Sequence, residues 1–270
     1  MIAIFCVLIK CTKNPCIYEQ RWGFGLGAMQ FHKVVKIDHG LKTTSTLHSN
    51  IYAMKNETQP NNKANAITLM IIDESGSMSS LKKATEESHL GILQRIKSEC
   101  TEMPNLNQYV NTWVFDSHRI EEVQTLTKIE AGDSLKPIDL RPNGSTPLFD
   151  AIGKACTQLE ILMGNLKFKA EDTMVSVAVF TDGEENSSHT FTQGEVKRLV
   201  MRLKTQGWSF NYYGTDVSVE EMKERLAFDG GMVMEKSDRG FRSGMASYSM
   251  SSSNLKSSFV KKWSKEDLID

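Results

Sequence analysis

The sequence has little net charge and few cysteines, and both shortages exclude classes of protein. The formal net charge is -1 at pH 7, so charge gives no support to binding of nucleic acid or of an anionic membrane surface. The 5 cysteines are an odd number, and three of them lie within the first sixteen residues. This pattern predicts neither a disulfide framework nor a zinc site of paired CxxC motifs, and it favours a reducing compartment. We therefore expect a cytoplasmic protein.

Motifs of common enzymes are also missing. The sequence has no GxxxxGKS/T loop, and no GxGxxG follows its first predicted strand. A serine-hydrolase elbow, GxSxG, would need glycine where Asp73 stands, and an aspartyl phosphotransferase would need a second acid where Ser75 stands. The sequence names no base positioned near a reacting atom. We therefore predict that the protein is not an enzyme.

We expect the amino-terminal region to be neither a signal peptide nor a membrane span. Met1 to Lys10 is apolar, but it lacks a positive n-region, a small-residue cleavage site and the length to cross a bilayer. Residues 11–53 have no sustained periodicity, and Asn56 to Asn65 is a polar linker. We hypothesise that translation begins at Met54.

The predicted organisation has three parts. It consists of an extension with a linker (1–65), a folded domain (66–260) and a tail (261–270).

After the linker, strand and helix patterns alternate. Apolar or β-branched runs predict strands at 67–72, 108–115, 120–129, 173–180, 208–213 and 231–234. Apolar residues three and four apart predict helices at 79–100, 147–163, 193–205 and 219–226, and a last one whose apolar face is formed by Phe241, Met245, Tyr248, Leu255 and Phe259. The alternation predicts an α/β fold with a Rossmann-like, doubly wound, mostly parallel sheet between helices, and with 120–129 at its edge.

Oxygen-bearing side chains follow the two most apolar strands. Asp73, Ser75 and Ser77 come at the end of the first, and Asp182 follows the strand at 173–180. Thr146 precedes a proline that suits a first helical turn. Because ligands of open α/β sheets bind at the carboxyl ends of strands, and because magnesium, calcium and manganese prefer such oxygens, this edge is a candidate cation site.

Each signal also has an ordinary structural explanation. Ser77 or Ser79 could cap the helix that follows, since serine is favoured at helix N-termini. Thr146 could mark only a helix start, and Asp182 with its glycine only a turn. Two further acids at strand ends, Asp116 and Asp216, are interpreted as loop caps.

Taken together, the motifs resemble a known family. Asp73-Glu-Ser-Gly-Ser77 matches the DxSxS signature of von Willebrand factor A (VWA) domains. Gly144-Ser-Thr-Pro147 resembles the loop that carries the family's threonine, and Phe180-Thr-Asp-Gly183 the strand end that carries its second aspartate. The three motifs occur in the family's order. The chain looks closer to the single-domain bacterial and phage members than to integrin or matrix proteins.

The resemblance implies a metal-ion-dependent adhesion site (MIDAS). In such a site Ser75 and Ser77 would bind the metal directly, Thr146 directly or through water, and Asp73 and Asp182 largely through water. The cofactor would be Mg²⁺, with Mn²⁺ or Ca²⁺ as alternatives. The implied function is binding of a protein partner whose Asp or Glu completes the coordination. A structural subunit with a secondary metal and a metal-dependent hydrolase are the alternatives.

Overall fold

The computed structural model describes residues 7–10, 17–20, 63–215 and 219–266. The chain forms two compact units, Met1–Gln59 and Pro60–Asp270. In the first unit, strands β1 (Val7–Lys10) and β2 (Ile17–Gln20) pair antiparallel. The sequence pattern did not predict these strands. The hypothetical start at Met54 and most of the polar linker lie outside the described residues.

A mixed sheet forms the centre of the second unit. Its described strands are β3 (Ala64–Asp73), β4 (Leu106–Phe115), β5 (Ile120–Ile129), β6 (Thr173–Phe180), β7 (Trp208–Gly214) and β8 (Gly230–Val233). The order across the sheet is β5-β4-β3-β6-β7-β8, and every neighbouring pair is parallel except β4 with β5. The doubly wound, mostly parallel α/β fold is therefore confirmed, as is the edge position of β5.

Helices cover both faces of this sheet. They are α1 (Lys82–Glu102), α2 (Leu148–Asn165), α3 (Gln193–Lys204), α4 (Val219–Leu226) and α5 (Asp238–Glu266), with a 3₁₀ helix at Gly76–Ser80. Met70 and Ile72 of β3 share one core cluster with α1 and α5. Because strand side chains alternate, Ile71 faces the opposite layer, where α2 contacts β3 and β4.

Two features of the fold bear on the candidate site. Residues Ala66 to Asp73 of β3 are all buried, because this central parallel strand is covered on both faces. Asp73 is the last residue of this strand, so it lies where the buried sheet ends at the carboxyl ends of its parallel strands. The last helix continues beyond residue 260 as far as Glu266. Within the described part of the chain, no helix combines the length and apolarity needed to cross a membrane.

Candidate metal centre

The site begins with Asp73, the buried last residue of β3. Its Oδ1 accepts a hydrogen bond from the backbone N–H of Ser75 at 2.7 Å. Its Oδ2 accepts one from the Thr181 hydroxyl at 2.5 Å. Since Thr181 directly follows β6, these bonds fix the carboxylate between the ends of two adjacent strands.

A chain of hydroxyl groups connects this loop to Asp182. The Ser77 hydroxyl donates to Asp182 Oδ1 at 2.6 Å, and the Oγ atoms of Ser75 and Ser77 lie 3.1 Å apart. Because a hydroxyl has one proton and that of Ser77 is used on the carboxylate, Ser75 is the donor to Ser77. Residues more than a hundred positions apart thus meet, as the strand-end rule predicts.

The alternative of serine helix caps is wrong. Helix α1 begins at Lys82 rather than at residue 79, and its N-cap, Leu81, has no side-chain capping bond. The 3₁₀ helix has Ser75 at its N-cap position, again without a side-chain capping bond. Ser79 instead donates to Gly76 O at 2.7 Å. The hydroxyls of Ser75 and Ser77 therefore serve the cluster around Asp182 and not a helix terminus.

Thr146 reaches the same place from a third loop. The backbone N–H of Gly76 donates to Gly144 O at 3.0 Å, which connects the two loops. Thr146 is buried, and a Cβ built on Gly183 would lie 3.3 Å from its hydroxyl oxygen. Asn186 holds the threonine backbone on both sides, because its Oδ1 accepts from Thr146 N at 2.9 Å and its N–H donates to Thr146 O at 3.2 Å. The following helix, α2, begins one residue after the predicted proline.

The centre concentrates negative charge. Burial raises the pKa of Asp73 from 3.8 to about 6; hydrogen bonds from Thr181 and Ser75 oppose the rise, and the charge of Asp182 adds to it. Asp182 Oδ2 is buried and accepts no hydrogen bond from any described residue. Lys236 Nζ lies 3.0 Å from it, outside hydrogen-bond geometry, so this contact is an ion pair. The lysine side chain is 52% exposed.

This donor set fits a hard divalent cation. Two carboxylates and the hydroxyls of Ser75 and Ser77 lie together, the Thr146 hydroxyl lies beside Gly183, and the buried Asp182 Oδ2 has no directed donor among the described residues. No group of three His, Cys, Asp or Glu able to hold a metal is found in the part of the chain that the structure describes. A cation here would therefore depend on two carboxylates, on hydroxyl oxygens and on retained water; Mg²⁺ in proteins usually keeps several waters beside one or two carboxylates. The residues that would hold it are Asp73, Ser75, Ser77, Thr146 and Asp182.

Comparisons with known proteins extend only to the fold. No family model matches the chain, and no curated protein matches it. It is similar to a mutant of the PilB minor pilin from Streptococcus sanguinis, with TM-score 0.50 and 10% identity over 89% of this chain and 74% of that one. It is also similar to the vWF domain of the pilus tip protein Mfa5 from Porphyromonas gingivalis (TM-score 0.47, 9% identity, 70% and 95% coverage). A third similar structure is the manganese-loaded TRAP protein of Plasmodium vivax (0.38, 16%, 62% of each chain). At such identities the likeness shows the fold alone.

Several residues that shape the centre carried no sequence signal. Glu74 is buried, and it pairs with Arg119 through both carboxylate oxygens and accepts from Arg141 N at 2.9 Å. This pairing raises the pKa of Arg119 further above its usual range. Glu74 therefore fastens the DxSxS loop to the neighbouring loops and is not directed at a cation. Its partners lie 45 and 67 residues away, so no local pattern could reveal them.

Asp150, in the first turn of α2, has a role beyond its own helix. Its two oxygens accept the backbone N–H groups of His189, Thr190 and Phe191 at 2.7 to 2.8 Å. It thereby pins the loop that follows Asp182 to the start of α2. The predicted loop cap at Asp116 is confirmed by bonds to the next turn at 2.6 and 2.8 Å. The other predicted loop cap, Asp216, lies outside the described residues.

Proposed function

We propose that the protein is a metal-dependent protein-binding module of the VWA type. A divalent cation, Mg²⁺ in the first place and Mn²⁺ or Ca²⁺ otherwise, would be held by Asp73, Ser75, Ser77, Thr146 and Asp182. The observation that carries the proposal is the hydrogen bond between Ser77 and Asp182, because it joins the ends of two strands into one oxygen-lined centre.

The chemistry of the centre favours capture of an acidic partner. Neutral hydroxyls donate little charge, so a cation bound mainly by serine and threonine oxygens stays electrophilic. Ser77 is exposed whereas Asp73, Ser75 and Thr146 are buried, and the opening therefore lies on the Ser77 side. A carboxylate from a partner, Asp or Glu, would complete the coordination there. The surrounding loops would select the partner by shape.

The proposal includes a non-catalytic role in the cytoplasm. The cysteines within the described residues, Cys100 and Cys156, are free thiols, which agrees with a reducing compartment. Burial raises the pKa of Cys156, and this makes it unsuitable as a nucleophile at neutral pH. A role without nucleic acid or membrane agrees with the near-zero net charge.

A capture experiment with matched serine variants tests this function. Immobilised wild type, Ser75→Ala and Ser79→Ala would be exposed to native lysate in magnesium or in chelator, and bound proteins identified by mass spectrometry. Ser79 is the control because its hydroxyl only meets a backbone carbonyl within the same loop. We expect wild type and Ser79→Ala to retain a common partner in magnesium and to lose it in chelator, and Ser75→Ala to retain none.

Other outcomes would favour the alternatives. A partner held equally well in chelator would indicate a structural subunit in which the metal is secondary. Turnover of a substrate by the wild type that vanishes in Ser75→Ala would indicate a metal-dependent hydrolase.

A further inference from the structure

Lys236 is the cation that approaches the buried oxygen of the candidate centre. Its Nζ lies 3.0 Å from Asp182 Oδ2, the oxygen that accepts no hydrogen bond from the described residues. The other oxygen of the same carboxylate is occupied by the Ser77 hydroxyl. We propose that Lys236 is a tethered counter-cation that competes with the divalent metal for Asp182, and so sets the affinity of the centre for metal. This inference rests on the proposed function.

The backbone that carries Lys236 is held firmly on both sides. Met234 is buried, and its N–H donates to Gly214 O at 2.6 Å. A Cβ at Gly244 would clash with the Met234 side chain, and one at Gly240 would clash with the Glu235 carbonyl. These glycines let α5 pack closely against the segment that precedes it. The backbone therefore places the lysine at the site, and movement is left to its flexible side chain.

The lysine side chain can leave the site without disturbing the core. It is 52% exposed, whereas the Asp182 side chain is fully buried. A lysine head group is strongly hydrated and sits on four rotatable carbons, so release into water has a low cost. The buried Asp182 side chain, in contrast, cannot move into water, so a cation must neutralise it in place. Either of two cations can do so: the ammonium of Lys236, or a divalent metal from solution.

Lys236 and a divalent cation would compete for Asp182 because both are positively charged and both need the same space beside its Oδ2. An ammonium 3.0 Å from Asp182 Oδ2 lies where a bound cation or its water shell would approach that oxygen. A divalent cation beside it would repel the ammonium, which must swing outward. By linkage, whatever free energy the ion pair contributes to the metal-free protein is subtracted from metal binding. Because the lysine is half exposed, this contribution corresponds to a modest change in affinity.

The test compares Lys236→Gln with Lys223→Gln. Lys223 is the matched control because it pairs with Glu220 on the surface of α4 at 2.8 Å, so its removal takes away one charge and one ion pair elsewhere. Calorimetric titration of Mg²⁺ should show about fivefold tighter binding by Lys236→Gln than by wild type. Thermal unfolding in chelator should show a Tm lowered by about 2–4 °C, since the buried acids lose their counter-cation. Lys223→Gln should bind magnesium as the wild type does.

The possible outcomes distinguish failure of this inference from failure of the proposed function on which it rests. If the wild type binds magnesium and Lys236→Gln binds it no more tightly, the competition is refuted while the proposed function stands. If neither protein binds metal, the proposed function fails and the competition fails with it. Lys236→Met, which has no hydrogen-bond donor for Asp182, should reproduce the result for Lys236→Gln.

Discussion

Two buried groups of charges in this protein are built in opposite ways. Between α1 and α5, Glu99 and Lys256 are each 1% exposed and pair at 3.0 Å. Glu99 also accepts hydrogen bonds from Gln108 Nε2 at 3.1 Å and from the Ser253 hydroxyl, and Arg95 Nε lies 3.3 Å from it. Burial lowers the pKa of Lys256, although Glu99 opposes the change. Glu99 and Lys256 therefore form an ion pair that is shielded from water.

At the carboxyl ends of β3 and β6, the balance between acidic and basic side chains is different. Asp73 and Asp182 are both buried, and their described partners are hydroxyls, a backbone N–H and the half-exposed Lys236. The counter-charge of the Glu99 group is buried with it, whereas the counter-charge at this centre, Lys236, is half exposed and can move away. The comparison indicates that the Glu99 pair maintains the packing of two helices, whereas the half-exposed counter-charge at Asp182 agrees with the proposed binding of a cation from solution.

The largest loss of stability should come from removing one charge of the Glu99–Lys256 pair. Lys256→Met leaves Glu99 buried with a charge that only the partly exposed Arg95 offsets, so we expect a loss of about 3–5 kcal/mol in the free energy of unfolding, measured by urea denaturation. The double variant Glu99→Gln/Lys256→Met removes both charges and should be more stable than the single variant. A single variant within about 1 kcal/mol of wild type would show that the pair is not structural.

A second prediction concerns a buried base that is kept neutral. His89 on α1 is 1% exposed and hydrogen-bonds Thr112 through Nε2 at 3.2 Å; burial lowers its pKa to about 4. In the unfolded chain His89 binds a proton near pH 6.5, whereas in the folded protein it does so only near pH 4. Protonation therefore favours the unfolded chain, so the free energy of unfolding is unaffected by His89 above pH 6.5 and decreases as the pH falls from 6.5 toward 4. Near pH 4 the wild type should have lost about 3 kcal/mol more than His89→Gln, compared by urea denaturation in chelator.

The matched variant isolates the histidine. Both proteins contain the same carboxylates, so the contribution of Asp73 cancels in the difference between them. Identical pH profiles for wild type and His89→Gln would contradict the prediction.

The smallest effect on the free energy of unfolding should have the opposite sign, and it concerns the centre formed by Asp73 and Asp182. Asp73→Asn keeps an oxygen for the Ser75 N–H, and the Thr181 hydroxyl, which donates to Asp73 in the wild type, can donate instead to Gly183 O, which lies 3.0 Å from it in the wild type. The change removes one of two neighbouring buried charges. In chelator at pH 8 we expect stabilisation by about 1 kcal/mol in the same urea measurement. Destabilisation similar to that of Lys256→Met would mean that the two groups of charges do not differ as described.

The sequence was sufficient where the signal is local. Thr173–Phe180 and Val219–Leu226 form a strand and a helix with the predicted bounds, because clear apolar patterns end at polar residues. The meeting of Ser77 with Asp182 followed from the rule that parallel strands end at one edge.

The sequence failed where a distant partner decides. On α5, Leu255 was predicted on the buried face but is 40% exposed, while its neighbour Lys256 is 1% exposed. The reason is Glu99, 157 residues away, which attracts the lysine inward. Lys236 likewise lies in a loop without any motif, and its importance depends on its distance to Asp182. Hydropathy cannot report contacts of this kind.

The central claim is that oxygen ligands from separate loops form one cation site. Calorimetric titration of Mg²⁺ or Mn²⁺ into wild type, Asp73→Ala and Ser75→Ala tests it most directly, with circular dichroism to show that each variant is folded. We predict binding at a single site in the wild type and none in either variant, with the fold intact in all three. Metal affinity retained by both folded variants would contradict the account.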